Sequence, residues 1–274
     1  MPTRVLSLST DRKPMRLEPL EETGTLSLEE FRRGPFARRR PVVLRGAVRH
    51  WAALGLWTDA YLKKHIGALE AEAYVMPKGR IRIDRAAGFE LRRMSVRAFL
   101  DDPGRADGER YVFRTSFDGR FGALTADLSA PVYCAERSDL RRNFWMARAG
   151  VITQLHFDLP DNVIAMVRGR KRFFVFPPSA RDELAPMPWF SSTPPLARLD
   201  PESLEAMVGP LGRGVRGHRV DLDAGDLLYL PPRFYHHARA LEDCVSLNHW
   251  WCRPPTRALL AASDAYKRIR GLVI

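Results

Sequence analysis

Long apolar runs, lysine and cysteine are what this sequence of 274 residues has least of. No stretch of about 18 apolar residues is present, which excludes a spanning helix. The start, Met1-Pro-Thr-Arg-Val-Leu-Ser-Leu-Ser-Thr, has no apolar core of a secretory signal, so a cytoplasmic protein is expected. Three cysteines, Cys134, Cys244 and Cys252, are an odd number without C-x-x-C spacing, which argues against both a zinc site and a disulfide framework. Lysine is scarce beside arginine, six against 38, yet the net charge is +12. Clusters such as Arg38-Arg39-Arg40, Arg92-Arg93 and Arg141-Arg142 would suit nucleic acid or an acidic polypeptide. No nucleic-acid motif accompanies them, so a compositional bias with solvated faces is the preferred reading.

The chain does contain an unusual donor set. In a strand, residues two apart share a side, so His156 and Asp158 of Val151-Ile-Thr-Gln-Leu-His-Phe-Asp can grip one ion while Phe157 packs behind. His236 supplies a third donor from a distant strand. Alternation puts Phe234, His236 and Ala238 on one face and Tyr235, His237 and Arg239 on the other; Arg239 belongs in solvent, which makes His236 the inward residue. Two imidazoles and one carboxylate on one face of an octahedron leave three positions open, the arrangement of an iron(II) oxygenase centre. Taken alone, an H-x-D triplet is more often a surface loop. Its surroundings are short strands with turn punctuation: Asn162 to Val167 and Lys171 to Phe176 around Arg168-Gly169-Arg170, expected to form a β-hairpin, then Val220 to Leu230, Phe234 to Ala240 and Val245 to Trp251. Such a series predicts a sandwich or barrel.

These motifs together resemble the JmjC-type, cupin-fold Fe(II)/2-oxoglutarate oxygenases, and among them the asparaginyl hydroxylase branch with its bacterial relatives. The resemblance runs from about Leu26 to Trp251. It rests on Pro41-Val-Val-Leu-Arg-Gly-Ala, Trp57-Thr-Asp-Ala-Tyr-Leu, Thr153-x-x-His156-x-Asp158, Asn162, Gly169, Lys171, Gly225-Asp226-Leu-Leu-Tyr-Leu-Pro, His236 and Asn248-His-Trp250. It implies a mainly β double-stranded β-helix, or jelly roll, with N-terminal α/β elements. It also implies His156, Asp158 and His236 as ligands of Fe(II), with 2-oxoglutarate as co-substrate. By the same resemblance, Lys171 would pair with the far carboxylate of 2-oxoglutarate, Tyr111 and Thr153 would donate hydroxyl hydrogen bonds to it, Asn162 and Asn248 would stand beside the metal-bound end, and Trp250 would wall the space. Without it, Lys171 among Arg168, Arg170 and Arg172 would read as a solvated basic turn, and His50, His65, His218 and His249 read as structural or surface residues.

The expected organisation is a loosely held segment at 1–25, a cupin domain at 26–253 and a C-terminal helix at 254–274. Helices are predicted over Leu28 to Arg33, Thr58 to Ile66 with a Thr58-Asp59 cap, and Met94 to Leu100 with Ser95 as cap. The stretch Trp189 to Pro210 reads as an insertion over the active-site mouth. The amphipathic pattern of Leu259, Leu260, Ala262 and Tyr266 offers a homodimer surface. The implied reaction couples decarboxylation of 2-oxoglutarate to succinate and carbon dioxide with hydroxylation of an unactivated C–H bond, with a protein or peptide side chain as leading substrate. A small molecule, a natural-product peptide, a tRNA base or an N-methyl group stays open, as does a non-catalytic cupin binding module with a basic surface.

Overall fold

Two facing β-sheets organise the chain. The structure, a computed structural model, describes residues 14–76, 83–84, 88–102, 110–117, 119–187, 196–203 and 214–269. The smaller sheet has five strands in the order β1 (Arg16–Pro19), β13 (Arg216–Leu222), β12 (Lys171–Phe176), β15 (Tyr235–Ala240) and β10 (Ile152–Phe157). The larger has nine: β2 (Glu22–Thr23), β3 (Val42–Leu44), β14 (Leu227–Leu230), β11 (Asp161–Arg168), β16 (Cys244–Trp251), β9 (Arg141–Ala147), β8 (Arg110–Ser116), β4 (Glu70–Met76) and β7 (Leu91–Ser95). β5 (Ile83–Asp84) and β6 (Gly88–Phe89) form a separate ribbon. Most pairs are antiparallel, as expected of a jelly roll.

Alternation of side chains produces three apolar layers. On β12, Phe173 and Val175 point between the sheets, where they meet Ile164, Met166, Val220 and Leu228. Phe174 and Phe176 point outward to Leu155, Leu184, Leu199 and Tyr235. On β11, Val163, Ala165 and Val167 face a third layer behind the large sheet, built on Trp57, Phe113, Phe144 and Trp251. Each side chain so buried contributes about 1.5–3 kcal/mol relative to exposure. Strands apolar on both faces can occupy only central positions, which is where β11 and β12 lie.

That centrality corrects the expected hairpin. β11 and β12 are consecutive but belong to different sheets; β11 pairs with β14 and β16, and β12 with β13 and β15. Arg168-Gly169-Arg170 is therefore a corner that carries the chain across the sandwich. Gly169 has φ +68°, and a Cβ there would lie 2.3 Å from the Asp243 carbonyl oxygen, so only glycine fits the turn without displacing backbone.

The helices cover the large sheet. α1 (Leu28–Phe31) opens with a capping box between Ser27 and Glu30 and runs into a wide turn at Gly34-Pro35. α2 is Ala53–Leu56 and α5 is Gly122–Thr125. α3 (Asp59–Ile66) starts at Thr58, whose hydroxyl accepts from the Tyr61 amide at 3.2 Å. α4 (Val96–Asp101) is capped by Ser95, while Met94 belongs to β7. α6 (Pro254–Ile269) is the C-terminal helix. Among the described residues no helix is long and apolar enough to cross a membrane. The N-terminal segment is tied down further than expected: β1 pairs with β13 and β2 with β3 through backbone bonds that need no apolar periodicity. Residues 1–13 and most of Trp189 to Pro210 lie outside the described residues; Leu196 and Ala197 bridge to His156 and Pro186.

Candidate metal and co-substrate site

The site forms where β10 and β15 pair, with His156 directly opposite His236. Thr153 lies opposite Ala238, so three residues of β10 span two of β15; this is a β-bulge. Regular alternation would turn Thr153 and His156 to opposite faces, and the extra residue returns both to the interior. The break in alternation falls at Thr153 and Gln154, which both line the interior, while Leu155 packs outward and its carbonyl accepts from the Ala197 amide at 2.8 Å.

His156, Asp158 and His236 offer ligand atoms that all lie within 4.8 Å of one another. The imidazole rings stand 4.2 Å apart, and His236 Nε2 is 3.8 Å from Asp158 Oδ2. Nδ1 of His156 lies 2.8 Å from the Gln154 carbonyl oxygen, and Nδ1 of His236 lies 3.2 Å from that of Phe234. A carbonyl only accepts, so each Nδ1 carries the proton and each Nε2 keeps its lone pair for a metal. Burial, together with repulsion from His156, pushes the His236 imidazole down to about 4, which holds it neutral as a ligand must be. Asp158 is oriented from behind: Asn162 Nδ2 donates to its Oδ2 at 3.3 Å, and Asn248 Nδ2 donates to Asn162 Oδ1 at 3.4 Å. Two tautomer-fixed imidazoles and one braced carboxylate fit a divalent transition metal with open positions.

A cavity of about 180 Å³ opens beside this cluster, lined by Tyr74, Val112, Arg114, Trp145, Thr153 and Gln154 with His156, Asp158, Leu196 and Trp250. Of the residues assigned by resemblance to the co-substrate, Thr153 and Trp250 line this cavity. Lys171 lies deeper on the inner face of β12, opposite Ala240, and its Nζ donates to Ser246 Oγ at 2.8 Å.

Tyr111 requires a correction. It sits on the opposite face of β8 from Val112, in the layer behind the large sheet, and its hydroxyl accepts from Arg92. The tyrosine on the cavity is Tyr74, from the neighbouring strand and paired in register with Val112. The outer face of β15 also differs from expectation. His237 is only 1% exposed, edge-on to Phe174 at 5.6 Å, because residues 196–203 cover it. Asp200 and Glu202 bring a second potential donor group to His237, but Arg239 already holds Glu202 at 2.6 Å. Sequence reasoning missed Arg114 and Trp145; the available signal was a charged residue two positions after Val112, hence on the same face of the strand as that buried valine.

A family model described as a cupin-like domain matches residues 28–257. Jumonji C domain-containing protein 5 of Drosophila melanogaster is 27% identical over 82% of this chain and 58% of its own length. The bifunctional peptidase and (3S)-lysyl hydroxylase JMJD7 of Homo sapiens is 29% identical over 77% of each chain. The tRNA wybutosine-synthesizing protein 5 of Gallus gallus is 26% identical over 87% of this chain and 78% of its own. The chain therefore spans between about half and about three quarters of the length of such relatives. Among solved structures, the X-ray structure of E. coli ycfD superposes with a TM-score of 0.54 at 20% identity, covering 90% of this chain and 58% of that one, a likeness of fold. The chain belongs to the cupin-like domain family, as one of its JmjC-type cupins.

Proposed function

We propose that this protein is an Fe(II)- and 2-oxoglutarate-dependent hydroxylase of a protein or peptide side chain. The observation that carries the reading is the His156, Asp158 and His236 cluster, with both Nε2 lone pairs free and a cavity at its side. Iron(II) held here with 2-oxoglutarate would supply the oxidation by dioxygen, one oxygen atom entering the C–H bond as a hydroxyl and the other entering succinate as carbon dioxide leaves the co-substrate.

The chain's own residues hold, orient and exclude. His156, Asp158 and His236 would hold the metal. Asn162 and Asn248 fix the Asp158 carboxylate, a role worth about 10–100-fold in metal affinity where such supports have been removed. Lys171 lies four β15 residues from the His236 rung, roughly 13 Å along the strand. Across from it the side chains of Ala238 and Ala240 are small, which leaves space for a five-carbon diacid with one end at the metal and the other at the Lys171 ammonium. Ser246 orients that ammonium, and the Thr153 hydroxyl adds a donor. In this partly dry interior an ion pair counts for more than it would in water. Trp250 walls the cavity and limits water at the reacting bond. A homodimer through α6 belongs to the same proposal; Leu259 on it is 42% exposed.

The small cavity favours a side chain over a nucleobase, although the named relatives include a lysyl hydroxylase, demethylases and a tRNA-modifying protein. The test is succinate release from 2-oxoglutarate by iron-loaded protein in oxygen. Turnover in the wild type, lost in His156→Ala and Lys171→Ala, is expected. Absence of both turnover and 2-oxoglutarate binding in the wild type would return the protein to a non-catalytic binding role.

A further inference from the structure

Arg114 is a cation that the proposed reaction leaves without a counter-charge. It projects from β8 into the cavity that holds His156 and Asp158. Its guanidinium stands 5.2 Å from the Trp145 ring and 5.5 Å from the Trp250 ring, and its Nη1 donates to the Tyr74 hydroxyl at 2.7 Å. Among the described residues it has no carboxylate partner. Other half-buried arginines are paired, Arg45 with Asp226, Arg168 with Asp59, Arg172 with Asp221 and Arg253 with Asp161, while Arg137 and Arg142 stand over aromatic rings as Arg114 does but away from the residues that line this cavity. Contacts to both indoles and a phenol hold a planar, forked donor in place at low further entropic cost.

Charge in the cavity sharpens the point. On the reading above, the two positive charges of the metal and the Lys171 ammonium match the two carboxylates of 2-oxoglutarate and the Asp158 carboxylate. Arg114 remains as one cation in surplus. A partly buried charge is stabilised by a partner of opposite sign, and a guanidinium pairs best with a planar carboxylate. Lys171 and Arg114 do not compete for one group. Arg114, Trp145 and Ser246 share a rung across β8, β9 and β16, but the Lys171 ammonium sits at Ser246, while the guanidinium reaches along the sheet toward Trp250, four residues along β16 from Ser246 and on the cavity with the metal ligands.

We infer that Arg114 is a substrate-selecting residue and that the side chain accepted at this site carries, or directly adjoins, a carboxylate. The inference rests on the hydroxylase reading and names its substrate class: an acidic peptide segment. The chain's net charge of +12 favours approach of such a segment. Phosphate would satisfy the charge as well, but a cavity of about 180 Å³ that must also admit the co-substrate suits a side-chain carboxylate better than a nucleotide.

The test uses the full chain loaded with Zn(II) and 2-oxoglutarate, which binds without turnover. Two pools of hexapeptides, identical except for Glu or Gln fixed at the centre, are titrated and followed by tryptophan fluorescence. Affinity for 2-oxoglutarate is measured in parallel by calorimetry. The Glu pool is expected to bind at least tenfold more tightly than the Gln pool. Arg114→Gln should bring that ratio to twofold or less with 2-oxoglutarate affinity unchanged, and Arg114→Lys should retain part of it. Equal or undetectable binding of both pools to wild type that binds 2-oxoglutarate normally would overturn the inference and spare the hydroxylase reading. So would a tenfold loss of 2-oxoglutarate affinity in Arg114→Gln, which would make Arg114 a co-substrate anchor, or tighter binding of a short oligoribonucleotide than of the Glu pool. Wild type that binds no 2-oxoglutarate would remove the reading on which the inference stands.

Discussion

The two faces of β15 present neighbouring histidines to opposite environments. His236 is 5% exposed and His237 only 1%, so burial does not distinguish them. Their surroundings do. On the inner face, His236 meets His156 and Asp158, its Nδ1 is bonded to its own strand, and a cavity opens beside the cluster. On the outer face, Tyr235 and His237 join Phe174 and Phe176 under residues 196–203, and Arg239 is closed by Glu202. A buried histidine becomes a candidate ligand when its neighbours leave a lone pair and a space; when they fill the space it is packing.

Substitution of each histidine should separate these roles. His236→Ala is expected to abolish metal binding and reduce any succinate formation at least a thousandfold, while the metal-free fold survives, as shown by thermal unfolding. His237→Ala should do the reverse: metal affinity within about threefold of wild type, and stability lower by about 1–3 kcal/mol through lost packing beside Phe174. Equal loss of metal binding in both would erase the distinction between the faces.

The supports behind the inner face come next in size. Asn162→Ala should weaken metal binding about 10–100-fold by freeing Asp158, measured by competition with a chelating dye. Lys171→Met should leave metal affinity intact and weaken 2-oxoglutarate at least tenfold, read by calorimetry. Gly169→Ala tests the corner that carries β12 to the inner sheet. The clash with Asp243 and the positive φ should cost about 1–3 kcal/mol in denaturant unfolding. Thr153→Val, which keeps shape and removes one hydroxyl, should have the smallest effect, a few-fold loss in 2-oxoglutarate affinity.

Much of this contrast was legible in the sequence. Two-residue periodicity sufficed to turn His156 with Asp158 and His236 inward, and turn chemistry located most strand ends in the second half of the chain. What escaped has specific causes. The bulge between Thr153 and His156 leaves no mark in composition, since it consists only of an extra residue that sets the adjacent Thr153 and Gln154 on the same side. Arg168-Gly169-Arg170 has the residues of a hairpin turn, and only the partners of β11 and β12, distant in sequence, reveal a crossing between sheets. Tyr111 was assigned by motif, whereas strand parity puts Val112 and Arg114 inside. β1 and β2 are polar and short, held by backbone bonds that side-chain patterns do not report.

The most direct measurement is a calorimetric titration of metal-free protein, without oxygen, first with Fe(II) and then with 2-oxoglutarate, in wild type and Asp158→Ala. One metal per chain, followed by 2-oxoglutarate binding that requires the metal and is lost in Asp158→Ala, is the expected result. Metal binding that survives in Asp158→Ala with unchanged affinity, or 2-oxoglutarate binding indifferent to the metal, would contradict the assignment of His156, Asp158 and His236 as the centre of this protein's chemistry.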